Sequence, residues 1–147
     1  MCYKSFDRKL YDQYNEHGIQ VAVSFLRQLG YEPSNFDECY KSHDFVVVKD
    51  GRTYKVECEV SAKWINLQFP YRYMSVPYRK KDSKADFYIR TNPAGSSLLF
   101  MPMAKVLASP LISKDTTYTK NEKFFNVDVA SLTLYYVEDG VWYSDEE

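Results

Sequence analysis

Hydrophobic positions near the start of the chain recur at the spacing of an amphipathic helix. Within residues 10–29, the apolar and small positions of one helical face are Gly18, Val21, Ala22, Phe25 and Leu29. Polar residues, among them Gln20, Ser24 and Arg27, fall on the opposite face. Gly30 and Pro33 follow, and both residue types end helices. The pattern predicts one helix over residues 10–29 with a single buried side.

The period of the pattern changes to two in the next segment, which is the spacing of β-strands. An apolar run at residues 45–49, a turn signal at residues 50–51 and an alternating run at residues 53–61 predict a β-hairpin. Side chains of its second strand divide between the faces, with Val56, Cys58 and Val60 on one and Lys55, Glu57 and Glu59 on the other. Two acids are therefore expected side by side on one surface.

The rest of the chain predicts further strands and little helix. These elements are strands over residues 85–90, 97–101, 131–137 and 141–143, and a short helix over residues 102–107. Pro70 and Pro77 interrupt residues 64–81, which are expected to form a loop or short helix lying over the sheet. Without a repeat or a long linker, residues 1–147 are expected to form one domain of α/β or α+β class, with a mixed sheet flanked by helices.

The net charge and its distribution limit the kinds of partner that the protein is expected to bind. The net charge of −1 argues against a protein that coats DNA through bulk electrostatic attraction. Basic residues nevertheless concentrate at Arg72 and over residues 79–84, while acids lie on the hairpin and over residues 144–147. A basic rim around an acidic centre suits an enzyme that holds cations against phosphate.

Cysteine usage and hydropathy bear on the compartment. Three cysteines without a CxxC spacing predict neither a disulfide framework nor a zinc site, and so a reducing compartment. No apolar run has the length of a signal-peptide core or of a membrane span. A cytoplasmic location is the resulting expectation.

The acids of the hairpin have the chemistry of a phosphodiester hydrolase. Such an enzyme needs a divalent ion, and Mg²⁺ prefers one or two carboxylates among its oxygen ligands. Asp44 opens the first strand and Glu57 lies near the end of the second, so an antiparallel return brings them together. Glu59 points the same way as Glu57.

This arrangement of Asp44, the turn at residues 50–51 and Glu57-Cys58-Glu59 resembles the signature of the PD-(D/E)XK nuclease superfamily. The resemblance implies a restriction-endonuclease-like core in which residues 11–29 form the helix before the hairpin. It implies that Asp44, Glu57 and the backbone carbonyl of Cys58 bind Mg²⁺, with Mn²⁺ as a substitute, and that Glu59 helps to activate water. It also implies a double-stranded DNA substrate and a bacterial or phage-infected cell.

The departures from the signature concern three positions. His43 stands in place of the proline, and Glu59 in place of the lysine, which makes this an E-x-E variant. Lys63, or Lys55 on the same strand, is a candidate for restoring the missing positive charge. The helix position at which the superfamily often has a glutamate is held by Gln20, with Glu16 one turn earlier as an accessory candidate.

A weaker resemblance extends downstream. Trp64, Gln68 and residues 76–80 and 85–88 are similar to small phage nucleases and to group I intron homing endonucleases of this fold. The resemblance implies that Gln68 lies beside the metal site. It further implies that the residues near the DNA backbone are Arg72, Arg79 and Lys80.

These observations favour a Mg²⁺-dependent endonuclease of homing, restriction or phage recombination type, acting as a homodimer or homotetramer because each chain holds one site. A Holliday junction resolvase is a narrower alternative. The missing lysine and Gln20 motivate a second reading, an inactive nuclease-fold module for DNA binding or assembly. For Glu57 or Glu59 taken alone, a solvated hairpin face is the plain alternative.

Overall fold

The computed structural model of the chain describes residues 8–35, 44–116 and 120–145, and the side chains of residues 17–34, 45–116 and 120–145. The described helices are α1 (Arg8–Gln28) and α2 (Met103–Leu107), with short 3₁₀ turns over Tyr78–Asp82 and Val129–Ser131. The described strands are β1 (Glu32–Asn35), β2 (Asp44–Lys49), β3 (Arg52–Val60), β4 (Tyr73–Pro77), β5 (Phe87–Thr91), β6 (Ser97–Pro102), β7 (Leu111–Lys114), β8 (Glu122–Asp128), β9 (Thr133–Glu138) and β10 (Val141–Ser144). The domain is therefore of α+β class.

Seven strands form the main sheet, in the order β1-β2-β3-β5-β6-β9-β10. Its neighbours are antiparallel except β3 and β5, which run parallel, so the sheet is mixed as expected. Between β3 and β5 the chain leaves this sheet, because parallel neighbours need a crossover connection. That crossover contains β4, which joins β8 and β7 in a second, three-stranded antiparallel sheet.

Helix α1 covers one face of the main sheet and matches the helix expected over residues 10–29. The buried side chains of its described part are Ile19, Ala22, Val23, Phe25 and Leu26. Phe25 contacts Phe100, Tyr135 and Trp142 with ring centroids 5.2, 4.8 and 5.7 Å away, so an aromatic cluster lies beneath the helix. Leu29, expected on the buried side, is instead 36% exposed because the helix has already ended at Gln28.

The second sheet covers the opposite face of the main sheet. Its apolar side chains pack with those of β5 and β6 around a fully buried Trp64, and they are Met74, Val76, Phe125 and Val127. The expectation of a sheet flanked by helices therefore holds for the α1 face, whereas this face is covered by a three-stranded sheet together with Met103 and Val106 of α2. Strands β4, β7 and β8 went unpredicted because they are short and pair with segments distant in sequence.

Both predicted hairpins are confirmed. The β2–β3 turn places Asp50 and Gly51 at φ 52° and 78°, and the β9–β10 turn places Asp139 and Gly140 at φ 53° and 79°. Positive φ at both central positions is the conformation that matches the twist of paired strands, and Asp-Gly adopts it readily. Strand β1 was missed because Pro33 argues against a strand, yet β1 lies at the sheet edge, where proline is tolerated. Within the described residues, no helix is long and apolar enough to cross a membrane.

Candidate active site

The acids of β3 lie where two strand pairings meet. Antiparallel pairing places Asp44 of β2 directly opposite Glu57, so the predicted meeting of these two positions is confirmed at the level of the backbone. The side chain of Asp44 lies outside the described part of the structure. On the other side, parallel pairing places Tyr88 beside Glu57 and Arg90 beside Glu59.

Lys80 reaches both acids from the 3₁₀ turn that follows β4. Its Nζ lies 3.0 Å from Glu57 Oε1 and 3.2 Å from Glu59 Oε2. Pro77 ends β4 and directs the chain into the turn, which delivers Lys80 beneath the second sheet while Arg79 and Lys81 stay exposed. Lys80 is 8% exposed, and Glu57 is fully buried.

Tyr88 and Arg90 complete what we call the ion-pair network, which consists of Glu57, Glu59, Lys80, Tyr88 and Arg90. Tyr88 donates its hydroxyl hydrogen to Glu59 Oε1 at 2.6 Å. Arg90 donates to the Tyr88 hydroxyl from Nε at 3.0 Å and from Nη2 at 2.6 Å, and its Nη2 lies 3.5 Å from Glu59 Oε1. The network is thus held by hydrogen bonds as well as by charge.

Arg90 also ties the network to the second sheet. Its Nη1 donates to Ser61 Oγ at 2.9 Å, just after β3, and its Nη2 donates to the carbonyl oxygen of Ser75 in β4 at 3.0 Å. Planar guanidinium groups with several fixed donors suit such buried, multiply bonded positions. Arg90 therefore fixes the two sheets relative to each other at the site.

Interactions within the network keep Glu59 and Lys80 in their charged forms. Burial by itself would raise the pKa of Glu59, but the charges of Arg90 and Lys80 and the hydrogen bonds from Tyr88 and Lys80 outweigh it and lower the pKa to about 2. Burial would lower the pKa of Lys80, and the carboxylates of Glu59 and Glu57 reverse this and raise it. Glu59 and Lys80 are therefore both ionised at neutral pH.

Burial dominates the neutral members of the site. It raises the pKa of Tyr88 well above its usual value, with Arg90 opposing and Glu59 adding to the shift, so Tyr88 stays a phenol. Burial also raises the pKa of the Cys58 thiol, which faces α1 and lies 3.4 Å from the carbonyl oxygen of Gly18. Cys58 can contribute its backbone to a site on the polar face, while its thiol belongs to the core under α1.

Charges within the network balance. Glu57 and Glu59 face Lys80 and Arg90, so two cations offset the repulsion between the two carboxylates. Within the described part of the chain, no group of three His, Cys, Asp or Glu side chains is arranged to hold a metal. The solvated-face alternative is wrong for Glu57, which water does not reach.

Lys80 lies beside the E-x-E triplet and is neither of the two lysines proposed for this position. Lys63 is exposed in the turn after β3. Lys55 turns toward the end of the 3₁₀ segment, where its Nζ donates to the carbonyl oxygen of Ser83 at 2.8 Å. Lys80 was expected near the DNA backbone, and its ammonium group lies between the carboxylates of Glu57 and Glu59.

Gln20, the residue of α1 predicted to contribute to the site, does not reach the ion-pair network. Gln20 is exposed on α1, which packs against the opposite face of the main sheet. The side chain of Glu16 and the whole of His43 lie outside the described residues. The sheet therefore separates Gln20 from Glu57.

The other residues expected near DNA lie on the surface. Gln68 and Arg72 are exposed in the segment between β3 and β4, and the Arg72 guanidinium lies 5.1 Å from the centre of the Tyr73 ring. Arg79 is exposed and lies 3.5 Å from Glu122. These three side chains are accessible to a ligand, but they do not join the network.

Sequence reasoning missed Tyr88 and Arg90, although a signal was present. Both lie in the strand expected over residues 85–90, on the face opposite Phe87 and Ile89. An arginine in register with an acid on a neighbouring strand would have indicated an ion pair. That register depends on the parallel pairing of β3 with β5, which the sequence pattern does not reveal.

Comparison of the chain with known protein families, with curated proteins and with solved structures found no match. Arguments about function therefore rest on the residues and geometry of the site.

Proposed function

We propose that this protein is a metal-dependent DNA endonuclease of PD-(D/E)XK type in which Lys80 takes the place of the lysine missing from the E-x-E triplet. One observation carries the proposal. A lysine from a separate element lies 3.0 Å from Glu57, the acid whose backbone partner is Asp44. An acid pair with an adjacent lysine is the set of groups that the nuclease signature implies.

The donors at this position suit Mg²⁺ in their chemistry. Asp44 and Glu57 are carboxylates at directly opposed strand positions, and Mg²⁺ is bound through one or two carboxylates with water and phosphate completing its shell. These two residues would hold the ion, together with the carbonyl of Cys58. A bound ion supplies polarisation of the phosphoryl oxygen and a lowered pKa for the attacking water.

Neither Lys80 nor Glu59 acts as the general base in the proposed reaction. The raised pKa of Lys80 keeps its ammonium group protonated, so it stabilises negative charge on a phosphate and does not accept a proton. Glu59, with a pKa of about 2, is too weak a base to take a proton from water at neutral pH. Glu59 instead positions Lys80 beside Glu57.

Cleavage of plasmid and linear duplex DNA tests the proposal. We expect the wild-type protein to cut DNA with Mg²⁺ or Mn²⁺, Asp44→Asn to remove activity, and Lys80→Met to lower it by roughly 100-fold or more, as for other groups that stabilise transition-state charge. Lys105→Met is the matched control because this lysine is exposed on α2 and is not part of the network, and it should keep a near-wild-type rate.

Circular dichroism and thermal unfolding must accompany the assay, because Lys80→Met alters a buried position. Absence of cutting by the wild type with either metal contradicts the proposal. So does full activity in a folded Asp44→Asn or Lys80→Met variant.

One observation favours the second candidate, an inactive nuclease-fold module. Lys80 and Arg90 already offset both acids, and the second sheet covers Glu57 completely. Calorimetric titration with Mn²⁺ distinguishes the candidates. Heat of binding that disappears in Asp44→Asn supports the enzyme, whereas DNA binding without metal binding or cleavage supports the module.

Double-strand cleavage adds a requirement for assembly. The described residues of each chain contain a single candidate site, and cutting both strands at one place calls for two sites, so the proposed enzyme acts as a homodimer or homotetramer. Light scattering with and without duplex DNA measures this. A monomer under both conditions restricts the proposed activity to nicking.

A further inference from the structure

The segment between β3 and β4, residues 61–72, carries an unusual amount of exposed apolar surface. Ile65 is 77% exposed, Leu67 50% and Tyr71 55%. We call this segment the β3–β4 loop. Large apolar side chains grouped on a surface commonly mark an interaction site.

The β3–β4 loop is held from beneath by aromatic packing. Trp64 is fully buried, and its Nε1 donates to the carbonyl oxygen of Leu67 at 3.2 Å. The Phe69 ring meets Trp64 edge-to-face with centroids 5.1 Å apart. These contacts anchor the backbone while leaving Ile65 and Leu67 directed toward solvent.

The first residue of the loop and the strand that follows the loop are both bonded to the ion-pair network. Arg90 bonds Ser61 at the first residue of the loop and Ser75 in the strand that follows it. The loop therefore begins beside Arg90, a member of the network.

The charge of this region selects the kind of partner. Residues 61–81 contain no aspartate or glutamate, although the chain has 20 acidic residues. Lys63 and Arg72 add exposed positive charge to the loop itself. A polyanion is favoured at the β3–β4 loop, since its two basic side chains attract phosphate and the loop itself contains no acid that repels it.

We infer that the tip of the β3–β4 loop enters the minor groove of duplex DNA, with Ile65 and Leu67 as an apolar wedge. Proteins that bind this groove combine Asn, Gln, Arg or Lys contacts with Ile or Leu inserted at a base step, and Asn66 and Gln68 alternate with the two aliphatic residues here. The identity of the partner rests on the proposed function, and the mode of contact rests on the loop. A second copy of the chain fits less well, because a stable protein interface buries about 800 Å² on each partner, more than one loop offers.

Binding of labelled duplexes in the absence of Mg²⁺ tests the inference without cleavage. We expect Ile65→Ser/Leu67→Ser to weaken duplex binding by roughly tenfold or more, because the wedge loses its apolar surface. 2-Aminopurine placed along the duplex should brighten where the wild type unstacks a step, and the double variant should lose this signal. Leu111→Ser/Val141→Ser is the matched control, since these residues are 48% and 43% exposed elsewhere on the surface.

The outcomes separate the loop from the chemistry of the site. Loop-dependent duplex binding by a wild type that cuts nothing supports the inference and contradicts the nuclease. Unchanged affinity in the loop variant, an equal loss in the control, or no duplex binding by the wild type overturns it. Loss of self-association in the loop variant with unchanged affinity for DNA also overturns it, and identifies the loop as a contact between copies.

Discussion

The two faces of the main sheet are stabilised by opposite means. Under α1, Val56 and Cys58 pack against apolar and aromatic side chains with no need for particular partners. Under the second sheet, Glu57 and Glu59 of the same strand are buried against specific cations and a phenol. The alternation of apolar and acidic side chains along β3 therefore places an apolar core, which tolerates substitution, on one face of the sheet. It places a set of interdependent charges on the other face.

This difference determines how each face should respond to change. On the apolar face, shortening a side chain lowers the free energy of unfolding in proportion to the contacts and volume removed. A buried ion pair contributes little net stability when intact, but removal of one partner leaves the other charge in a medium that solvates it poorly. The polar face is thus the one that a single substitution disrupts most.

The largest effect is expected from Arg90→Met. It leaves Glu59 buried beside fewer donors and should lower the free energy of unfolding by about 3–5 kcal/mol. Urea unfolding monitored by circular dichroism measures the change. Arg72→Met, at an exposed arginine, serves as the control, and an equal small effect of both variants would show that Arg90 adds nothing to stability through the network.

A loss of about 2–4 kcal/mol is expected from Leu26→Ala on the apolar face, because the vacated volume is only partly refilled. Leu26 is 1% exposed and lies in the cluster that contains Val56. This loss should be the same at pH 3 and pH 7, since no ionised group is involved. A strong pH dependence of the difference between Leu26→Ala and wild type would contradict the contrast between the faces.

Acid should weaken the polar face alone. Because the pKa of Glu59 falls from 4.5 to about 2 on folding, the unfolded chain binds more protons in this interval and stability rises with pH. The contribution of Glu59, about 2–3 kcal/mol, is complete above pH ~4.5 and is lost as pH falls through about 2. Urea unfolding between pH 2 and 6 measures the slope, which should flatten in Glu59→Gln.

The smallest effect is expected from Arg79→Ala, one residue before the buried lysine. Its ion pair with Glu122 spans 3.5 Å, and its side chain is 70% exposed, so water and salt screen the attraction. The change in unfolding free energy should stay within about 0.5 kcal/mol. If Arg79→Ala lowered the free energy of unfolding as much as Lys80→Met does, the location of a charge in the 3₁₀ turn, and not its burial, would determine its contribution to stability.

Local patterns were sufficient to predict α1 and both hairpins. The Asp-Gly turns at residues 50–51 and 139–140 determine strand direction and register by themselves, which is why the meeting of Asp44 with Glu57 followed from the sequence. Alternation along β3 likewise assigned Glu57 and Glu59 to one face. These features depend on residues close together in the chain.

The second sheet and the source of the positive charge depend on distant residues. Lys80 stands 23 positions from Glu57, and its approach requires both the crossover and the pairing of β4 with β8. Periodicity at residues 64–81 is obscured by Pro70 and Pro77, and nothing in the spacing distinguishes Lys80 from Lys63. The candidate site was therefore half predictable, in its acids but not in its cations.

The clamp that Arg90 forms on Ser61 and Ser75 has a consequence for how such a protein diversifies. Because Arg90 bonds Ser61 and Ser75 and Trp64 is buried in the core, the exposed residues between Trp64 and Phe69 can change sequence with little entropic penalty and without displacing Glu59. Under the proposed function, the ligand bound by the loop would then change independently of the chemistry at Glu57 and Glu59. Residues 65–68 are therefore a segment that can be replaced as a unit, in evolution or in the laboratory.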